Sequence, residues 1–152
     1  MKKIVSLNFI IASFTIMSCS SQQHTQSSNN SAVQYTAAKN YFVKNTYEAN
    51  ALQAIRLTSS NELNQYFGGA RTMDSKSVQT NIDFEKNNAI ALIYPKTDST
   101  ISIKITSVQS NTNNLLVHYK LKKGVKTTYS IVPFSLIILD KKYVENIQLV
   151  ED

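Results

Sequence analysis

Along most of the chain, apolar and polar residues alternate with a period of two. Ile101, Ile103 and Ile105 alternate with Ser102, Lys104 and Thr106, the pattern of a strand with one buried face. Asn111-Thr112-Asn113-Asn114 is a turn-rich cluster. After it, Val117, Tyr119 and Leu121 take one face of a strand, and His118, Lys120 and Lys122 take the other. Lys123-Gly124-Val125 predicts another turn. Residues 129–139 (YSIVPFSLIIL) are apolar on both faces and predict a central strand. Pro133 lies inside that run; proline cannot donate to a ladder, so a bulge is expected there. Residues 143–150 predict a last strand with Tyr143, Ile147 and Leu149 facing in.

The first half is less regular. Residues 40–44 and 51–57 each fit a short strand. Ser59-Ser60-Asn61-Glu62 then forms a capping box, with Ser59 as N-cap and Glu62 reaching back from the third helical position. Leu63, Tyr66 and Phe67 share a helical face. Gly68-Gly69 predicts a left-handed end to the helix. Residues 70–81 read as loop. Ile82 and Phe84 alternate into a turn at Asn87-Asn88, and residues 89–94 form a buried strand stopped by Pro95. The pattern predicts a mainly β domain, a single antiparallel β-sandwich or barrel-like unit of six or seven strands with one short helix.

Ahead of that domain the pattern changes twice. Met1-Lys2-Lys3 is a short basic segment, and residues 4–17 are predominantly apolar. At about 14 residues this run is too short for a bilayer span, which needs about 20, and it fits a secretory signal. Ile16-Met17-Ser18-Cys19 places a small residue directly before the only cysteine. This stretch resembles the lipobox of bacterial lipoproteins, with Met17 in place of the usual small residue. The resemblance implies cleavage after Ser18 and acylation of the Cys19 thiol, and hence a membrane lipid anchor. A lone thiol in an exported chain has no disulfide partner, which fits modification. Residues 20–31 (SSQQHTQSSNNS) carry no charge and no aliphatic side chain. Such a segment cannot offset its ordering entropy and is expected to be a tether. The expected organisation is signal at 1–18, lipidated cysteine and tether at 19–34, and globular domain at 35–152. No acidic residue follows Cys19, which favours an outer-membrane address facing the periplasm.

Composition narrows the chemistry. Three glycines allow no Gly-x-Gly-x-x-Gly turn and no phosphate-binding loop. One cysteine allows no thiolate cluster, and no cofactor is expected. Losing Lys2 and Lys3 with the signal lowers the net charge from +6 to +4, too mild for a nucleic-acid footprint, and no nucleic-acid partner is expected.

Residues 58–141 resemble the C-terminal domain family of the PrcB-type lipoprotein, the accessory subunit of the dentilisin protease complex. The resemblance rests on Leu63-Asn64-Gln65-Tyr66-Phe67-Gly68, on Ile82-Asp83-Phe84 before the apolar strand at 89–93, and on Ile131-Val132-Pro133-Phe134-Ser135-Leu136-Ile137-Ile138. It implies a non-catalytic role supporting a protease. The family often carries a Thr-Gly-Gly-Tyr loop where this chain has Thr97-Asp98-Ser99-Thr100.

Among candidate reactive groups, His24 falls in the tether and His118 on a polar strand face, too far apart in pattern for a metal site. No metal or catalytic residue is assigned. Asp83 and Glu85, two apart, would share a strand face in water. Lys120, Lys122, Lys123 and Lys126 crowd one hairpin, and Lys104 is expected on the outer face of the neighbouring strand. That cluster serves either as a soluble edge that blocks strand pairing or as a contact surface for an acidic partner or anionic envelope component. The function expected is that of a non-catalytic lipoprotein that binds an envelope protein as an accessory module; the alternative is a small-ligand or lipid binder with a pocket in its β-core, and no enzyme activity is expected.

Overall fold

The computed structural model describes residues 30–70 and 78–152. The signal, Cys19, His24 and most of the tether lie outside the described residues, as do residues 71–77. Among the described residues, ten strands and one helix follow in the order β1 (Ser31–Ala32), β2 (Tyr35–Ala37), β3 (Tyr41–Val43), β4 (Gln53–Leu57), α1 (Ser60–Tyr66), β5 (Phe67–Gly69), β6 (Asn87–Ile93), β7 (Thr97–Ser110), β8 (Asn114–Ile131), β9 (Phe134–Asp140) and β10 (Asn146–Glu151). The expected six or seven strands are too few, because pieces of two and three residues are too short to display alternation.

The strands form one sheet of order β1-β7-β8-β10, a second of order β2-β9-β6-β4, and a two-stranded ribbon β3-β5. No sheet closes into a barrel among the described residues, and the architecture is sandwich-like. Pairing is antiparallel except where β10 runs parallel to β8.

β6 explains the layering. Its residues are buried on both faces because it lies between two cores. Ile90 and Leu92 face the first sheet, among Ile103, Ile105 and Val108 of β7 and Leu115, Val117 and Tyr119 of β8. Ala89, Ala91 and Ile93 face the other way, towards Leu63, Phe67, Tyr41 and Val43. β9 divides likewise, with Ile137 and Leu139 in the first core and Leu136 in the second. Burying each such aliphatic side chain contributes about 1.5–3 kcal/mol. The folded region also starts earlier than residue 35: Ser31 and Ala32 pair with Ser110 and Gln109, and Val33 is buried.

Three local expectations ahead of β7 need correcting. Ser59 caps α1 as expected, accepting from the Glu62 N–H at 3.2 Å, but the Glu62 carboxylate reaches past it to the Thr58 N–H at 2.6 Å. Gly68 and Gly69 do not end the helix in a left-handed turn. The chain leaves α1 through extended Phe67 (φ −120°), no described glycine has positive φ, and both glycines pair in β5. Gly68 is needed for close approach, since a Cβ there would lie 2.4 Å from the Phe42 ring opposite. The turn ahead of β6 occupies residues 84–86, closed by the Asn87 N–H on the Asp83 carbonyl at 2.9 Å, and Asn88 is already a buried strand residue.

The remaining corrections concern β7 to β10. Thr97-Asp98-Ser99-Thr100 opens β7 rather than forming a loop, and Lys123-Gly124-Val125 continues β8 rather than turning. Residues 129–139 are two strands, not one bulged strand. Ile93 pairs with Phe134 and Thr97 with Ile131, so the β6/β9 pair passes into the β7/β8 pair at a corner. Pro133 sits at that corner, where its carbonyl accepts from the Tyr94 N–H at 2.9 Å and its missing N–H costs nothing. The last strand starts at Asn146, later than expected, so Ile147 and Leu149 pack against the first core from β10 while Tyr143 does so from the turn before it.

Candidate functional site

β7 and β8 are longer than the core they cover. Their inner halves carry Ile103, Ile105, Val117 and Tyr119 into the sandwich, while residues 97–102 and 120–131 project as a two-stranded ribbon. Nearly all of β8 beyond Tyr119 is exposed on both faces. Gly124 allows the two strands to stay close there, since a Cβ would lie 2.2 Å from the Thr100 hydroxyl oxygen. The register shifts on this stretch, between Ser99 and Ile101, which strengthens twist.

The five lysines read as one cluster divide into three groups. Lys104 stands directly opposite Lys120, and Ser102 opposite Lys122, so Lys104, Lys120 and Lys122 share the outer face. Lys123 stands opposite Ile101 and points to the other face. Lys126 makes an ion pair with Asp98 at 3.0 Å, both ends well exposed, an arrangement worth at most about 1 kcal/mol. Among the described residues, Lys104, Lys120, Lys122 and Lys123 have no carboxylate in ion-pair reach. Like charges directly across a ladder are destabilising. The Lys104–Lys120 pair is therefore a cost that an anionic partner would relieve.

His118 lies on the same outer face, but it is not simply solvated. Its Nδ1 is 2.9 Å from Asp152 Oδ1, and the Thr106 hydroxyl donates to Asp152 Oδ2. Those hydrogen bonds, from Thr106 first and then His118, hold the Asp152 carboxyl below its ordinary range, with Lys120 adding attraction. The order of the three groups matters chemically. The hydroxyl is bonded to the carboxylate and not to the imidazole, so the three groups do not stand in the hydroxyl–imidazole–carboxylate order of a nucleophile triad.

Asp83 and Glu85 sit at the turn before β6, not on a strand face. Asp83 Oδ1 accepts from the Glu85 N–H at 3.0 Å, and Oδ2 lies 3.6 Å from Lys86 Nζ. This carboxylate holds a turn.

One polar cluster was not expected from the sequence. Arg56 of β4 donates from Nη1 to the Val144 carbonyl at 2.8 Å and from Nη2 to the Glu145 carbonyl. Ser110 donates to Glu145 Oε1 at 2.6 Å. Burial pushes the Glu145 carboxyl up, but the Ser110 hydroxyl, backbone N–H groups and the Arg56 charge outweigh it and bring it below its ordinary value. The three residues are far apart in sequence, and the only local hint is Ser110 at an inward position of β7.

Two open clefts of about 470 and 390 Å³ flank the segment before the β6 turn, with Thr80 and Asn81 as their common wall. The first mixes Tyr35, Ile138 and Leu139 with Asp83 and Asp140, whereas amide and hydroxyl groups prevail in the second, among them Asn64, Gln79 and Ser60. Both lie outside the core between the two large sheets. No protein-family model, curated protein or solved structure matches this chain.

Proposed function

We propose that this chain is a lipid-anchored envelope protein that binds another protein through the β7/β8 ribbon and performs no catalysis of its own. The observation that carries this reading is the outer face of the ribbon, where Lys104 opposes Lys120 beside Lys122, with no described carboxylate in ion-pair contact and only Asp152 near enough to attract Lys120. A surface built that way is stabilised by an acidic partner and steers its approach. The lipobox resemblance at Cys19 supplies the anchor, and anchoring raises the effective concentration of a co-anchored partner, so modest affinity suffices. The resemblance over residues 58–141 makes that partner a protease or a component of its complex.

The amide- and hydroxyl-lined second cleft favours another reading, a small polar ligand held beside residues 79–82. One comparison separates the two. Co-purification from detergent-solubilised membranes is measured for the parent chain and for the triple variant Lys104→Glu, Lys120→Glu, Lys122→Glu. The ribbon reading expects a specific partner that is released by salt and absent with the variant. A partner retained by a variant that keeps its β-rich circular dichroism removes the ribbon from the proposal.

A further inference from the structure

On the side of β8 away from β7, the chain itself pairs only the first third of the strand. β10 lies along it in parallel, Asn146 to Glu151 opposite Asn114 to Tyr119, and the Asp152 N–H donates to the Tyr119 carbonyl at 2.9 Å. β8 then runs on in ladder with β7 to Lys126, carries residues 127–130 opposite Asp98 alone, and pairs again at Ile131, and among the described residues no strand lies on its other side. An open edge of this kind presents a row of main-chain donors and acceptors ready to pair with another strand. The side chains beside it are distinctive. The strand on the occupied part brings Glu151 and Asp152 up to the position of Lys120. On the open part come Lys122 and Lys123, and then Val125 and Tyr129, which are 74% and 62% exposed.

We propose that the open edge of β8 beyond Tyr119 binds an extended acidic segment of a partner protein, which adds to the ribbon as a further strand. This rests on the ribbon reading above and names the chemistry and pose of its partner. Charge position selects the occupant. Lys120 and Lys122 point to the outer face and Lys123 to the opposite one. A strand beside the edge alternates its own side chains to both faces and meets both groups. A flat anionic lipid surface meets one face only and offers the main-chain groups no ordered partners. A second copy of this chain, paired edge to edge, would set lysines against lysines. An acidic strand avoids both conflicts and extends an arrangement the chain already makes with β10.

The test uses the full chain in neutral detergent and a blocked peptide of repeated Glu-Glu-Thr-Val, about eight to ten residues, which places glutamates on both faces of the added strand. Binding is expected, with slowed amide exchange confined to residues 120–131. Affinity should fall about tenfold or more with Lys120→Glu and Lys122→Glu together. A peptide N-methylated at alternate residues blocks one pairing edge while keeping every side chain. One of the two alternate N-methyl sets should abolish binding, and because this arm needs no protein variant, misfolding cannot imitate it. Equal binding by both sets overturns the proposal, as does a peptide that fails to bind. Protection of residues 120–131 by phosphatidylglycerol vesicles alone, or by self-association alone, overturns it as well. If the native partner is still lost from the triple lysine variant while the peptide fails, only the strand-addition pose falls. If the native partner is indifferent to the lysines, the ribbon reading falls with it.

Discussion

Glu145 shows how one side chain can join elements that alternation alone does not connect. It sits between β9 and β10, accepts from Ser110 at the end of β7, and lies beside Arg56 of β4. Its carboxyl titrates below the ordinary value of 4.5 in the folded chain. A depressed carboxylate contributes stability that is fully present above its unfolded pKa and is lost as pH falls through the folded value. The parent chain should therefore lose stability on acidification below about pH 4.5, and Glu145→Gln should flatten that part of the profile. Urea midpoints taken between pH 6 and pH 3 check this, with the pH axis an experimental range of roughly three units around the linkage window. A variant whose profile runs parallel to the parent's would show that Glu145 does not carry the effect. Arg56, Ser110 and Glu145 could not be grouped from the sequence, because nothing in a period-two pattern says which strand ends meet. His118 was readable as an outward residue, but its bond to Asp152 depends on β10 lying parallel to β8, a pairing that local pattern does not encode.

At the level of elements, the same local signal led to a correct reading in one place and a wrong one in another, and the difference lies in what packs nearby. The apolar run at 89–93 was legible as a buried strand because both its faces meet a core. The cap at Ser59 was legible because capping is settled within four residues. Gly68, Gly69 and Gly124 resemble chain-reversal signals, yet Gly68 and Gly124 serve close approach, to the Phe42 ring and to Thr100. Pro133 reads as a bulge within a strand but stands at a corner between sheets. The lysines were legible as a group, while their division between two faces needed the register. Gly124 makes the point testable. Gly124→Ala should destabilise the ribbon by about 1–3 kcal/mol through overpacking, because its Cβ would sit 2.2 Å from the Thr100 hydroxyl oxygen. Thr100→Ala removes that oxygen, leaving the nearest atoms at 3.4 Å. The double variant should recover most of the loss, a coupling that a cycle of thermal or urea midpoints measures directly. Additive losses would show that the Thr100 contact does not account for the glycine.

Across the whole molecule, the chain enters the fold at one end of β7 and the ribbon occupies the other. Ser31 pairs with Ser110, the last residue of β7, whereas Lys122 and Lys126 stand opposite Ser102 and Ser99. β7 has 14 residues, so its ends are separated by about 40 Å at 3.3 Å per residue. An anchor at Cys19 would therefore attach at the Ser110 end and leave the ribbon lysines on the far side from the bilayer. Attachment at that end is compatible with the proposed protein partner reaching the ribbon from the aqueous side. The prediction concerns orientation. With the lipidated chain in bilayer nanodiscs, paramagnetic lipid headgroups should broaden the amide signals of the Asn111-Thr112-Asn113-Asn114 turn, which adjoins Ser110, more strongly than those of residues 124–130. Greater broadening along the ribbon would place the lysines on the membrane and reverse the choice of partner. Equal broadening throughout would mean that the tether imposes no orientation, and the ribbon's access to a partner would then rest on charge alone.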